Sequence, residues 1–425
     1  MPYIAWQAKR NAKASMETMT TGILVAGTGP AGLTAALELS DAGHDVILAG
    51  PPANLKDGRT TTIMMPGLAQ LDRLGIAEPL KQAGAPLRFM RLIDMTGRLL
   101  RSPTVTFRAS EIGEEAFGYN IPNADLNAVL QTAVAASPAI RHIDAQVVSW
   151  EFTEDEARAS LSNSVTVSAK LAVAADGRNS PAREAAGIAV RLGSLPQSAL
   201  VCAFSHTRPH DGISTELHTP QGPFTQVPLP GALRSSLVWV CDPEEAQRLA
   251  ALPLNALSSA IETRMESMLG KVSVEARPQV FPLSTALPAR FAANRVALVG
   301  EAAHVFPPIG AQGLNLGLRD VRDLARVTAT APDPGAAPVL DAYDRARRPD
   351  VMARSGAVNA LNRSLLSDML PAQMARGIGI GLLGAYGPLR GFFMREGMEP
   401  GSGFGRMGQS LREKVRRQKS AGDQQ

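Results

Sequence analysis

An α/β architecture is predicted for this 425-residue chain by three glycine-bearing turns, each placed at the end of a short apolar strand. They lie at residues 22–39 (GILVAGTGPAGLTAALEL), 171–187 (LAVAADGRNSPAREAAG) and 300–320 (GEAAHVFPPIGAQGLNLGLRD). Strands that alternate with helical patterns imply a parallel sheet covered by helices. Between the second and third turns the pattern changes. Residues 191–285 carry alternating apolar and polar runs separated by Gly and Pro, which reads as an inserted antiparallel sheet.

In the first turn, an apolar strand at 23–26 runs into Gly27, Gly29 and Gly32, and a helix opens near Pro30. This is GxGxxG spacing. Gly27 permits the tight turn, Gly29 lets the backbone approach a pyrophosphate, and Gly32 lets helix and strand pack closely, with the helix N-terminus turned to the negative charge. Gly43 caps that helix in a left-handed conformation, and residues 44–49 read as the next strand. A dinucleotide site usually places an acid after that strand to hold a ribose hydroxyl. Here the chain reads Ala49, Gly50, Pro51, Pro52, so adenosine must be held by backbone or by a neighbouring side chain, and the motif alone does not choose between NAD and FAD.

The second turn ends its strand in Ala175, Asp176 and Gly177, with Ser180 and Pro181 as a helix cap and first-turn pair. The third follows a strand at 295–299 with Gly300, Glu301, Ala302, Ala303 and His304, then a loop rich in Pro and Gly that feeds a helix from about Leu314. Free N–H groups there favour negative charge, such as the edge of a reduced flavin. His304, beside a packed Ala-Ala pair, reads as a structural hydrogen-bonding residue, and no motif identifies a dedicated catalytic acid or base.

Together these stretches resemble the class A FAD-dependent aromatic hydroxylases, the group with the para-hydroxybenzoate hydroxylase fold. Within it the chain is similar to the ubiquinone (coenzyme Q) biosynthesis hydroxylases, whose signature resembles residues 308–320, supported by DGRTTTIM from Asp57, FGYNIPNADL from Phe117 and FFMREGM from Phe392. The resemblance spans roughly residues 20–400. It implies an α/β fold: a Rossmann-like FAD-binding domain (20–190 and 286–365) with an inserted antiparallel β-sheet substrate domain (191–285), a C-terminal segment of helices and a basic tail (366–425), and a disordered extension at 1–19.

The same resemblance implies roles residue by residue. Gly27, Gly29 and Gly32 would meet the FAD pyrophosphate, Arg59 would contact FAD from the loop after the second strand, and Asp176 and Gly177 would face both FAD and the arriving nicotinamide nucleotide. Glu301 would bind the ribityl chain, Gly313, Leu314 and Asn315 would cradle the flavin through backbone amides, and Gln312 with Asn315 would position it. Asn123 sits where many members place an Arg against the flavin. Three further departures are Glu301 for the usual Asp, Pro307 where some relatives carry His, and the order Gly310-Ala311 in place of Ala-Gly. The implied reaction uses NADH or NADPH and dioxygen to hydroxylate the aromatic ring of a polyprenylated phenol or quinol. The implied protein is cytoplasmic and peripheral on the inner membrane, in contact with a quinone-biosynthesis complex. A hydroxylase of a soluble aromatic compound and a non-catalytic scaffold subunit stay open as alternatives.

Composition agrees with this class and excludes others. Aromatics make up 4% of the chain and the net charge is +4, without a basic stripe along the body, which argues against a nucleic-acid surface. The tail is an exception: Arg406, Arg412, Lys414, Arg416, Arg417 and Lys419 face the single acid Glu413, and read either as a solvated end or as an attraction to anionic lipid. Cys202 and Cys241 read as core thiols of a reducing compartment. Cys202, His206 and His210 stand at C-x3-H-x3-H spacing, but Pro209 and a strand context spoil the geometry of a metal site, and none is predicted. No apolar run reaches the roughly 20 residues needed to span a bilayer. The uncharged segment 377–389 reads either as a core helix or as an entrance for a lipid tail. Lys9, Arg10 and Lys13 precede no apolar signal core.

Overall fold

The computed structural model describes residues 17–97, 102–307, 312–366, 379, 381–399 and 402. From the N-terminus the chain runs β1 (Thr18–Ala26), α1 (Pro30–Asp41), β2 (Val46–Ala49), β3 (Thr60–Met64), α2 (Met65–Asp72), α3 (Ala77–Ala83), β4 (Ala85–Pro86), β5 (Phe89–Asp94), β6 (Val105–Arg108), β7 (Gly118–Pro122), α4 (Asn123–Ala136) and β8 (Ile140–Ile143). It continues through β9 (Val147–Phe152), β10 (Ala157–Leu161), β11 (Thr166–Ala174), α5 (Pro181–Ala185), β12 (Val190–His206), β13 (Ile213–Thr219), β14 (Gly222–Pro228) and β15 (Arg234–Cys241). Then follow α6 (Pro243–Ala250), α7 (Leu254–Arg264), β16 (Val272–Val274), β17 (Gln279–Pro288), β18 (Ala292–Ala293), β19 (Val296–Leu298), α8 (Gln312–Thr328), α9 (Ala337–Leu366) and α10 (Gly387–Met398).

The first sheet has the order β18-β19-β11-β1-β2-β8, with β1 parallel to both β11 and β2. Helices cover it, so its central strands are buried on both faces and read as unbroken apolar runs: Ile23, Leu24, Val25, Leu171, Ala172 and Val173 are all fully buried. Helix α1 starts with Pro30 at its first position and stops where Gly43 turns left-handed at φ +91°. Its buried face packs on α8 and α4. Strand β1 opens at Thr18, paired with Thr166, so two residues of the segment 1–19 expected to precede the fold belong to the sheet.

The second sheet has the order β16-β12-β15-β14-β13-β5-β6, with β17 on the other side of β12. Here the structure corrects the sequence reading twice. Strands β5 and β6 come from within 20–190, outside the inserted segment, and β5 pairs with β13 in parallel, so the sheet is antiparallel except at that junction. Both runs are too short and too little alternating to declare their sheet, and a crossing between layers supplies the direction that a hairpin could not. A three-stranded sheet, β3-β7-β4, lies against the second sheet: Thr60 Oγ1 sits 3.0 Å from Ser236 Oγ, and Asn120 Nδ2 donates to Pro228 O at 2.8 Å.

A buried charge cluster locks the third turn to α8 and α9. The Asp320 carboxylate, fully enclosed, accepts from Gly300 N (3.1 Å), His304 Nε2 (2.7 Å) and Arg347 Nε (2.7 Å). Burial alone would raise its pKa, but His304 and Arg347 outweigh burial and hold it at about 2. Arg347 also reaches Asp323 at 2.9 Å and Asp350 at 3.0 Å. Because the folded carboxyl is depressed from its ordinary 3.8, its stabilisation is present above that value and is lost as the pH falls toward 2. Replacing Arg347 by Met leaves Asp320 enclosed without its main cation. The expected loss is about 3–5 kcal/mol of unfolding free energy in urea melts at neutral pH, and the difference from the parent should shrink as the pH approaches 2.

Candidate cofactor and substrate site

At the first turn the glycines are required by contact, not by flexibility in general. Gly27 has φ +112°, and a Cβ there would run into the Ala175 carbonyl; a Cβ on Gly32 would run into the Gly27 carbonyl. The first and second turns therefore meet backbone to backbone, as Ala175 N donates to Ala26 O at 2.8 Å, while Gly27 N donates to Ala49 O at the end of β2 (2.9 Å). A Cβ on Gly29 would meet nothing within 4 Å, which leaves the N-terminus of α1 open to an anion. Where a ribose acid would stand, Gly50 O accepts from His142 Nε2 at 2.8 Å and the Thr28 hydroxyl bonds to Pro51 O.

The second turn bears a matching signature. Gly177 is left-handed at φ +87° and open on the side a Cβ would occupy. Ser180 caps α5 by accepting from Arg183 N at 3.0 Å, and Asp176 Oδ2 accepts from Ala182 N at 3.1 Å. Asp176 Oδ1 is enclosed with no protein partner. Burial raises the Asp176 pKa, with Ser180 and the Ala182 amide opposing it; the unpartnered oxygen is short of a donor that a ribose hydroxyl would supply.

The third turn is tied to the second by Arg183, a buried residue that sequence reasoning missed. It donates to Ala302 O (2.9 Å) and Arg178 O (2.8 Å). Glu301 stands on a 3-10 turn (Gly300–Ala302), about half exposed, 3.7 Å from Arg178 Nε. Residues 308–311 lie outside the described residues. Helix α8 begins at Gln312, two residues ahead of the expected Leu314, and Gly313 presents an open, exposed backbone at its first turn. Leu314 packs partly against the main core.

The side chains expected to position a flavin are already engaged. Asn315 accepts from Met64 N (2.9 Å) and donates to Thr62 O (2.7 Å), which ties α8 to β3. Gln312 Oε1 accepts from Arg354 Nη1 at 2.7 Å. Among the described residues of this turn, the exposed backbone at Gly313 is the part open to a flavin.

Arg59 and Asn123 come together through a residue not singled out from the sequence, Asp57. Its carboxylate accepts two bonds from Arg59, Nε at 2.9 Å and Nη2 at 2.7 Å, and one from Asn123 Nδ2 at 2.9 Å. Asn123 Oδ1 accepts from Thr61 Oγ1 at 2.7 Å. Burial would raise the Asp57 pKa, but the bonds from Arg59 and Asn123 prevail and lower it. The Arg59 guanidinium lies 5.5 Å from the centre of the Phe281 ring, on the face of the second sheet that turns toward β3 and β7. Asp57 lies inside the DGRTTTIM stretch and could have been found there; Arg347 carried no local signal.

The cysteines and histidines behave as core groups. Burial pushes the Cys202 thiol up to about 12 and the Cys241 thiol up to about 11. His206 bonds to Arg208 O and Ser235 Oγ, and His210 to the Leu229 and Gly231 carbonyls.

Comparison with known proteins agrees with this geometry. The FAD binding domain family matches residues 20–355. The ubiquinone hydroxylase UbiL of Rhodospirillum rubrum is 34% identical, covering 88% of this chain and 89% of that protein. The chain belongs to the FAD-dependent ubiquinone hydroxylase family. The 3-demethoxyubiquinol 3-hydroxylase of Escherichia coli is 27% identical over 86% of the chain and 95% of its own length. The p-nitrophenol 4-monooxygenase PnpA of Pseudomonas putida shares the fold, with a TM-score of 0.73 at 21% identity over 90% of this chain and 97% of that one. This family member is an FAD-dependent monooxygenase. The open cradle at Gly29, the unpaired Asp176 oxygen and the exposed backbone at Gly313 fit the cofactor.

Two substitutions test the cradle. Gly32→Ala forces a Cβ into the Gly27 carbonyl, an overpacking of up to about 3 kcal/mol, and should weaken FAD binding roughly 100-fold, read by flavin absorbance after reconstitution. Asp57→Asn removes a charge-assisted anchor of about 1.5–3 kcal/mol and should raise the FAD dissociation constant about tenfold or more, read by flavin fluorescence quenching.

Proposed function

We propose that this enzyme hydroxylates the aromatic ring of a polyprenylated phenol or quinol in ubiquinone biosynthesis, with NADH or NADPH and dioxygen as co-substrates. The observation that carries the reading is the convergence of all three turns on one open backbone cradle, in a chain similar along most of its length to ubiquinone hydroxylases. FAD supplies reduction by the nicotinamide nucleotide and activation of dioxygen.

The chain's residues do the rest. Gly27, Gly29 and Gly32 would hold the pyrophosphate at the N-terminus of α1, and Asp176 with Gly177 would bind the hydroxyls of the arriving nucleotide. Glu301, about half exposed and 3.7 Å from Arg178 Nε, would bind the ribityl chain. Backbone N–H groups at Gly313, Leu314 and Asn315 would stabilise negative charge on the flavin, because a helix start directs its amide groups and its dipole toward a bound anion. The Asp57 anchor would keep Arg59 and Asn123 at the flavin edge.

A lipid-like substrate is supported by an adaptable apolar cluster where β3, the Ala109–Ile112 turn and α10 meet. It contains Met64, Ile112, Phe117 and Met394, with Met90 and Phe107 packed against it. Flexible thioethers and aromatic rings accommodate a branched chain without a fixed shape. Leu382, Tyr386 and Phe393 stand exposed beside it, a surface suited to peripheral contact with the inner membrane from the cytoplasm. No described helix is long and apolar enough to cross a membrane. The basic tail lies outside the described residues.

Mass spectrometry of quinone-pathway lipids in cells lacking the protein tests the assignment. Accumulation of a prenylated ring short of one hydroxyl is expected. An unchanged profile, with no redundant hydroxylase present, would remove the ubiquinone assignment and direct the search to soluble phenols.

A further inference from the structure

The second sheet has two unlike faces. On one, Leu200, Leu217, Phe224 and Leu237 are fully buried under α6 and α7. Residues directly paired across antiparallel strands share a face, so the other face is read from the register: Val201 opposite Val238, Val238 opposite Thr225, and Thr225 opposite Glu216. This row faces the flavin side. Ser236, two residues from Val238, bonds to Thr60 and Asn120, and Phe281, opposite Ala199, lies under Arg59.

Its members are also incompletely covered. Val201, Glu216, Thr225, Val227 and Val238 are all half-buried although β12, β15, β14 and β13 are interior strands of the sheet. The face is sealed at one end, where Ala199, Val240 and Leu283 form a buried cluster, and stays partly accessible from Val238 across Thr225 to Glu216, where a ligand could lie. Val201, Val227 and Val238 make this row largely apolar, Thr225 and Ser236 add hydroxyls, and Glu216 adds a carboxylate. The Glu216 carboxylate sits 2.8 Å from His218 Nε2 on one side and 3.5 Å from Thr225 Oγ1 on the other, with 16% of its side chain exposed and 4% of that of His218.

We propose that Glu216 is the catalytic base that receives the proton of the substrate's ring hydroxyl, and that His218 positions it. The inference rests on the phenolic substrate proposed above. One strand, β14, and an offset of two residues separate Glu216 from Ser236, roughly 12 Å, which leaves room for one aromatic ring between the carboxylate and the flavin side. The Oε2 oxygen, away from His218, accepts the hydroxyl hydrogen bond. As one oxygen atom of dioxygen is transferred to the ring, its O–O bond breaks and the C–O bond forms; the hydroxyl proton moves to Oε2, its bonding pair stays on the phenol oxygen, the carboxylate becomes a carboxylic acid, and the ring proton at the attacked carbon leaves to water as aromaticity returns. The retained pair raises electron density at the ring carbon that forms the new C–O bond, and His218 Nε2–H keeps the other carboxylate oxygen oriented.

Other charged groups near this face are spoken for. Arg234, at its far end, pairs with Glu275 at 2.7 Å; Asp94 on β5 accepts from Thr96 and from Ser102 N; Arg390 on α10 pairs with Glu111; and Arg59 pairs with Asp57. Glu216 with His218 is therefore the pair among the described residues of this face that is placed to exchange a proton with a ring.

The test uses the FAD-loaded full chain with a phenol carrying one isoprene unit, and with its O-methyl ether, which has no proton to give. Glu216→Gln should lower phenol hydroxylation at least about 100-fold, with KM within threefold and FAD content and visible spectrum unchanged. Glu216→Asp should restore part of the rate, His218→Gln should lower kcat about tenfold, and the ether should be turned over slowly and equally by parent and Gln variant. Equal losses on phenol and ether, or a Gln variant with the parent's rate, would overturn the base. A parent enzyme that leaves the phenol unmodified sinks the substrate reading and the base together, an outcome distinct from failure of the variant alone.

Discussion

Asp320 is an enclosed carboxylate with three donors that join two parts of the site. The Gly300 amide and His304 lie in the third turn, and Arg347 comes from α9. An ionised group removed from water is tolerable only when its charge is matched and its lone pairs are filled, so the cluster either forms whole or destabilises the fold. Its formation sets the path of the 3-10 turn that carries Glu301. It also fixes the axis of α8, from which Asn315 reaches the β3 backbone. The flavin cradle thus inherits its shape from a residue that touches no flavin.

The same logic runs through the contacts between turns. Gly27 and Gly32 allow β1, α1 and the end of β11 to approach to backbone contact. Arg183 then bridges the second turn to the third with two bonds to carbonyls. Anchors of this kind are rigid because they satisfy backbone groups that have no other partner, and a preorganised set of N–H donors needs little rearrangement when charge develops on a bound ring. The second sheet contributes a floor whose sealed side bears the packing and whose accessible side is left for chemistry.

Much of this was legible before any coordinates. The strand, turn and helix at each glycine-bearing stretch, the Ser180 cap, the Gly43 stop, the buried thiols and the structural hydrogen bond of His304 follow from preferences that act within a few residues. Left-handed turns need glycine, and helix starts need a side-chain acceptor. The resemblance of the turns to a family then named the cofactor.

Side-chain partnerships were not legible, because they join residues far apart in the chain. Asn315 and Met64 are 251 positions apart, and nothing local to either announces that the amide will serve a strand rather than a flavin. Strands β5 and β6 could not be placed in the second sheet, since pairing depends on which edge is free after the other strands have packed. Alternation along β13 puts Glu216 and His218 on the same side of a strand from sequence alone. Which side looks toward the flavin is decided only when α6 and α7 bury the other, because the hydrophobic face of a sheet is chosen by what is available to cover it.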